Sequence, residues 1–195
     1  HLQELELGLM ARMNQRHLAT RAADPLLQAR IRSFETAFGM QMEVPHVLDL
    51  TQDSDATLDL YGLQRGQTTG FGWQCLMARR AVEAGVRFVE VTPNVNWDQH
   101  ANLENDLPRN SAAVDKPIAG LLADLAARGL LDSTLVVWAG EFGRTPTAQN
   151  GDGRDHNNKG FTVWMAGGGV RGGRSFGGTD PVGFEAVDHP VHVHD

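Results

Sequence analysis

One cysteine, Cys75, is all that the 195 residues contain, so an intrachain disulfide is excluded. Its setting, Trp73-Gln74-Cys75-Leu76-Met77, is an apolar helical stretch that makes it a packed thiol rather than a nucleophile. No window approaches the roughly 18 apolar residues of a spanning helix, so no membrane span is expected. Positive charge is not in excess either: 17 Lys and Arg stand against 24 Asp and Glu, a net charge of −7. That balance argues against a general binder of nucleic acid or membrane surfaces, since neither polyanion attracts it at long range. The glycine-rich run Ala166-Gly167-Gly168-Gly169-Val170-Arg171-Gly172-Gly173 lacks the lysine and hydroxyl residue of a P-loop, and no GxGxxG opens a helix, so nucleotide binding is a poor reading. The start, His1-Leu2-Gln3-Glu4, is neither an initiator methionine nor a signal peptide. The expectation is a chain that lacks its natural beginning and, at His194-Asp195, its natural end.

What the chain does have is 41% hydrophobic residues, enough for a real core in one ordinary globular domain. The first part reads as helical. Asp24-Pro25 is a cap followed by proline at the first helical position, and Leu27, Ile31, Phe34 and Phe38 recur on one face until Pro45 ends the run. Ser54 caps a short helix that stops before Gly62, and a further helix from about Trp73 to Ala84 ends at Gly85. Strand and helix then alternate. Val86–Val91 is a strand ended by Pro93; Val114, Ile118, Leu121, Leu122 and Leu125 are a helical stripe ended by Gly129, which Pro117 either starts or kinks; Thr134–Trp138 and Phe161–Ala166 are further strands. Near-continuous apolar strands alternating with helices predict an α/β fold, a mostly parallel sheet flanked by helices on both faces.

In such a sheet ligands bind beyond the carboxyl ends of the strands, and the polar clusters fall there. Asp98 and His100 follow the first strand, Glu141 the second, and His156 lies in the loop before the third. Carboxylates and imidazoles gathered at one sheet edge suit a divalent ion such as zinc, calcium, manganese or magnesium. Each residue also has an ordinary use: Asp98 an Asx turn, His100 a surface position, Glu141 an exposed pair with Arg144. Their joint placement favours the metal site. Asp155 reads as an acceptor that orients His156, and Asn157 and Asn158 as turn residues. Arg144, Arg154, Lys159, Arg171 and Arg174 form a local basic run able to meet an anionic substrate, with Arg144 and Arg154 nearest the ligands. His189, His192 and His194 are a spaced trio that fits either a metal or an ordinary loop.

Together the motifs resemble a known family. Gly85-Val-Arg-Phe-Val-Glu, Trp97-Asp98-Gln-His100, Gly140-Glu-Phe-Gly-Arg-Thr-Pro146, Arg154-Asp-His-Asn157 and Gly178-Thr-Asp180, with Tyr61-Gly62-Leu63 and Gln74-Cys75-Leu76-Met77-Ala78-Arg79-Arg80 ahead of them, are similar to the DUF1501 family of bacterial proteins over nearly the whole chain. The resemblance implies an alkaline-phosphatase-like fold shared with sulfatases, so that residues 1–195 form one incomplete domain, mainly helical over 1–84 and strand–helix over 85–195. It implies hydrolysis of a phosphate or sulfate ester through divalent metals and a Ser or Thr nucleophile, with Asp98, His100, Glu141 and His156 as ligands, and it implies an exported or periplasmic location. Two departures follow. Glu141-Phe142 stands where many superfamily members carry Asp-His, and the nucleophile belongs to a strand upstream of everything here, so the isolated chain is expected to be silent. The alternative is a non-catalytic exported module that keeps the fold and an ion for stability or glycan binding.

Overall fold

The computed structural model describes residues 2–20, 25–192 and 194. The chain divides into two compact units, His1–Asp49 and Leu50–Asp195. The first holds two helices, α1 (Leu2–Ala19) and α2 (Pro25–Leu48). Pro25 opens α2 as expected, while the expected cap at Asp24 lies outside the described residues. Pro45 does not end the helix but sits inside its last turn, where its missing N–H costs only one bond to Gln41. The stripe expected to be buried is open: Leu27, Ile31 and Phe38 are half-buried and Phe34 is 72% exposed. Two helices without a third layer shield little apolar surface.

The second unit is built around three helices, α3 (Asp55–Leu60), α4 (Phe71–Glu83) and α5 (Leu103–Ala127). Ser54 caps α3 as its sequence predicts, its hydroxyl accepting from the Thr57 amide at 3.1 Å. Helix α4 ends before Gly85, which takes φ 93°. Helix α5 begins well ahead of the Val114 stripe, at Leu103, and runs through both Pro108 and Pro117, so Pro117 does not start it. Its inner face keeps the predicted stripe, with Val114 and Leu125 buried and Ile118, Leu121 and Leu122 half-buried. Leu58, Tyr61, Leu63, Cys75, Leu76 and Met77 form the core, with Leu121 and Val91 packed on it.

A buried ion network crosses that core. Arg79, 2% exposed, places Nη2 2.9 Å from Asp53, Nε 2.9 Å from Asp124 and Nη1 2.5 Å from Glu83. Arg80 closes on Asp53 at 2.5 Å, Arg128 on Asp124 at 2.7 Å, and the Tyr61 hydroxyl donates to Asp124 at 2.9 Å. Three guanidiniums thus face three carboxylates, and no charge is buried without its opposite.

The sheets overturn the expected fold class. Helices take up about 47% of the chain, and among the described residues the strands form three separate antiparallel pairs rather than one mostly parallel sheet flanked by helices. These are β1 (Leu135–Trp138) with β4 (Trp164–Gly167), β2 (Gly143–Gln149) with β3 (Gly153–Asn157), and β5 (Gly178–Thr179) with β6 (Ala186–Asp188). The reason lies in the connections. A parallel pair needs a helical crossover, but a hairpin, not a helix, joins β1 to β4, so β4 returns against β1 with Trp138 opposite Trp164. Helix α5 does precede β1, yet Val86–Val91 before it is not in any strand and Phe88 is 81% exposed. Thr134–Trp138 holds as a strand in β1, and the predicted Phe161–Ala166 holds only from Trp164; direction and company differ for both.

Two outcomes follow from this core. Replacing Arg79 by alanine leaves Asp53 and Asp124 buried without their shared cation, and should cost about 3–5 kcal/mol in urea unfolding. Burial pushes the Cys75 thiol up to about 12 from its ordinary 9.0. The unfolded chain therefore ionises first, so stability is full below pH 9 and falls as pH rises toward 12. The slope in that window should be shallower for Cys75→Ala than for the wild type.

Candidate metal centre

Three side chains meet at one point: Asp98, His100 and His156. Asp98 and His100 sit in the loop ahead of α5. The loop is fastened at several places: the Asp98 amide donates to Asn96 Oδ1 at 2.9 Å, the Gln99 and Asn110 side-chain amides both donate to the Asn96 carbonyl, and Trp97 meets Trp138 of β1 edge-on at 6.2 Å. His156 comes from β3, directly opposite Arg144 of β2 in the hairpin register, and opposed residues project to the same face.

The hairpin is pinned to the loop at its tip. The Arg154 amide donates to the Gln99 carbonyl at 2.9 Å, and the Asn150 side chain to the His100 carbonyl at 3.3 Å. Asp152 accepts from the Asn102 and Glu104 amides at 2.7 and 3.1 Å, capping α5 from a distant turn; the Glu104 amide, first among these contacts, holds its carboxyl below the usual range. At Gly153 any Cβ would run into the His100 carbonyl group, so only glycine allows the hairpin to come this close. Midway along β2 the register shifts between Arg144 and Ala148. There the Thr145 hydroxyl accepts the Asp155 amide at 3.1 Å that the interrupted ladder leaves over.

The donor atoms are evenly spaced. His156 Nε2 lies 2.9 Å from Asp98 Oδ1, His100 Nε2 lies 3.1 Å from the same oxygen, and the two Nε2 atoms are 3.1 Å apart. Donors bonded to one ion at about 2.0–2.2 Å stand roughly this far from each other. Two nitrogens 3.1 Å apart cannot both carry a proton toward each other, so at least one lone pair points inward beside a carboxylate. The hydrogen bond from His156, aided by His100 and Arg144, holds the Asp98 carboxyl below its ordinary range, which keeps it an anion. All three side chains remain 37–46% exposed, so an ion and a substrate can reach them.

The other expected site residues divide. Glu141 does not join the three: its carboxylate takes Arg144 at 3.1 Å, and its own backbone amide together with Arg144 holds its carboxyl below the usual range. Arg144 Nη2 is shared between Glu141 and Asp98, 3.1 Å from each. Arg154 turns instead to its own turn, donating to the Asp152 and Gly153 carbonyls at 2.8 Å. Lys159 pairs with Glu185 at 2.7 Å, so it and Arg144 are the members of the basic run seen on carboxylates. Asn157 is no ligand; it ties the 184–186 segment to β3 through the Phe184 carbonyl at 2.9 Å. Asp180 gathers the amides of residues 182 to 185 at 2.6–3.0 Å, which gives the Gly178-Thr-Asp180 motif a structural use. The glycine run is a tight turn against β1, with the Gly168 and Val170 amides spent on the Leu131 and Gly167 carbonyls. His189 pairs with Asp188 at 2.7 Å, and the His192 and His194 rings lie 5.1 Å apart.

Residues 2–195 match the family described as Protein of unknown function (DUF1501). The chain belongs to the DUF1501 family. No curated protein and no solved structure matches it. Within this DUF1501 chain three of the sequence motifs fall on the three-residue cluster or on the contacts that build it: Trp97, Asp98 and His100 on the loop, Gly143 to Pro146 on β2, Arg154 to Asn157 on β3. One contributor escaped the sequence reading, and another was read only as a departure from the superfamily pattern. Gln149, whose oxygen lies 2.6 Å from His100 Nδ1, carries no chemical mark of its own. Phe142 lies 4.7 Å from the His156 ring and 5.3 Å beneath the Arg144 guanidinium. The signal available was the turn pair Asn150-Gly151, both with positive φ, which marks a hairpin and places Gln149 at its tip.

Gly153→Ala tests the close approach on which the site rests. The variant should lose about 3 kcal/mol of stability, the upper end for overpacking, as read by chemical unfolding.

Proposed function

We propose that Asp98, His100 and His156 bind one divalent first-row ion, and that the full-length protein uses it to hydrolyse a phosphate or sulfate ester, with Arg144 steadying the anion. The observation that carries this reading is the convergence of two imidazole nitrogens and one carboxylate oxygen at 2.9–3.1 Å. Nitrogen donors with a single carboxylate suit zinc better than calcium, magnesium or manganese. Such an ion supplies Lewis-acid polarisation of an ester oxygen. Asp98 provides the negative charge that holds it. Arg144, shared by Asp98 and Glu141, is the cation closest to that point and can turn a nitrogen to an oxyanion without leaving Glu141. Arg154 is spent on backbone carbonyls, so Arg144 alone takes this part. An exported location is part of the same proposal and rests on the family resemblance.

The second reading is a non-catalytic module that keeps an ion for stability or glycan binding. Phe142 favours it: an apolar ring against His156 and under Arg144 offers no donor for a second ion on that side.

Metal analysis of the protein beside Asp98→Asn, His100→Ala, His156→Ala and Glu141→Ala decides the site. About one ion per chain is expected in the wild type and in Glu141→Ala, and little in the other three. Unchanged metal in His100→Ala and His156→Ala overturns the assignment. Retained metal with no turnover of aryl phosphates and sulfates by the full-length protein selects the second reading.

A further inference from the structure

The His100 ring is held from behind as well as in front. Its Nδ1 lies 2.6 Å from Oε1 of Gln149, the last residue of β2. An amide oxygen only accepts, so Nδ1 is the protonated nitrogen in this contact. A neutral imidazole carries one N–H, and with that proton on Nδ1 the Nε2 lone pair faces Asp98 Oδ1 at 3.1 Å. Lone pair against carboxylate oxygen is repulsive until a cation lies between them. The contact from Gln149 therefore sets up an acceptor where a ligand to a metal is wanted.

We infer that Gln149 is a positioning residue of this site: it fixes His100 as the Nδ1–H tautomer and reserves Nε2 for the ion. The inference rests on the metal reading above and adds to it a residue outside the ligand set. Placement supports it. Gln149 and Asn150 are consecutive, and the second donates to the His100 carbonyl at 3.3 Å, so the hairpin tip grips His100 by ring and backbone together. Gly153, three residues on, packs against the same carbonyl group. A neutral amide also suits the position, because Asp98 and Glu141 already supply the negative charge nearby and the amide oxygen accepts at any pH. Ligating histidines commonly have such an acceptor behind them, and its loss weakens metal binding by about 10–100-fold.

The test uses the 195-residue chain and zinc as the probe. Nitrogen NMR of the zinc-free protein reads the His100 tautomer, and competition with a chelator reads zinc affinity, for the wild type, Gln149→Met and Gln149→Glu. Methionine fills the space without accepting a proton; glutamate keeps the acceptor. The wild type should show Nδ1 protonated, Gln149→Met should lose that preference and bind zinc about 10–100-fold more weakly, and Gln149→Glu should restore both. A wild-type His100 protonated at Nε2, or Gln149→Met with wild-type zinc affinity, overturns the inference. The wild-type tautomer needs no variant, so the first of these outcomes stands even if Gln149→Met fails to fold. If the wild type binds no zinc while its tautomer still follows Gln149, the metal reading falls and the positioning contact stands.

Discussion

The guanidinium of Arg79 is the fixed point of the second unit. It is almost wholly buried and answers to carboxylates from three places: Asp53 ahead of α3, Glu83 on its own helix and Asp124 on α5. Apolar packing alone lets helices slide and rotate against each other at little cost, whereas a guanidinium with directed N–H bonds accepts one arrangement. Removing Arg79 takes from both buried aspartates the cation they share, so the arrangement is enforced by a penalty rather than by a large net gain. Helix α5 inherits its place from Asp124, and the loop that carries Asp98 and His100 inherits its place from α5 through Asn110 and the Asn96 carbonyl.

The second constraint works from the other side. Beside the loop stands a hairpin whose tip presses so close that Gly153 can carry no side chain. Loop and hairpin each contribute what the other lacks. The loop supplies a carboxylate and an imidazole two residues apart, the hairpin supplies His156 with Arg144 opposite it, and neither set is a site by itself. Arg144 reaches the same Asp98 oxygen that both imidazoles approach, so a fixed cation meets the charge on Asp98.

The helices of the second unit were legible in the sequence because their signals are local: the Ser54 cap, the glycine after α4, the apolar spacing along α5. The sheets were not, because pairing is decided by what lies between strands. Val86–Val91 has a strand's composition, yet composition does not supply a neighbour, and the hairpin between β1 and β4 reversed the direction that an intervening helix would have given. Of the residues expected as ligands, the grouping of Asp98, His100 and His156 was legible from residue type and placement. Glu141 was placed among them because it follows β1, but Arg144 is three residues away and captures its carboxylate first. Arg154 was read as an anion holder from its charge, whereas its geometry serves the turn it stands in. Gln149 acts through a contact 49 residues distant in sequence, and nothing in an isolated glutamine announces that.

Asp152 closes the picture from the direction of folding. It completes the first turn of α5 from 50 residues away, where most helices find their cap in the adjoining residue. A helix begun in this way cannot finish its own end during local helix formation; it waits for the hairpin to arrive, and the hairpin tip waits for the loop that α5 anchors. Sequence-distant dependence of this kind raises contact order and slows the search. It also ties α5, the 98–102 loop and the β2–β3 hairpin to one another through shared contacts, the arrangement expected of a single cooperative opening unit.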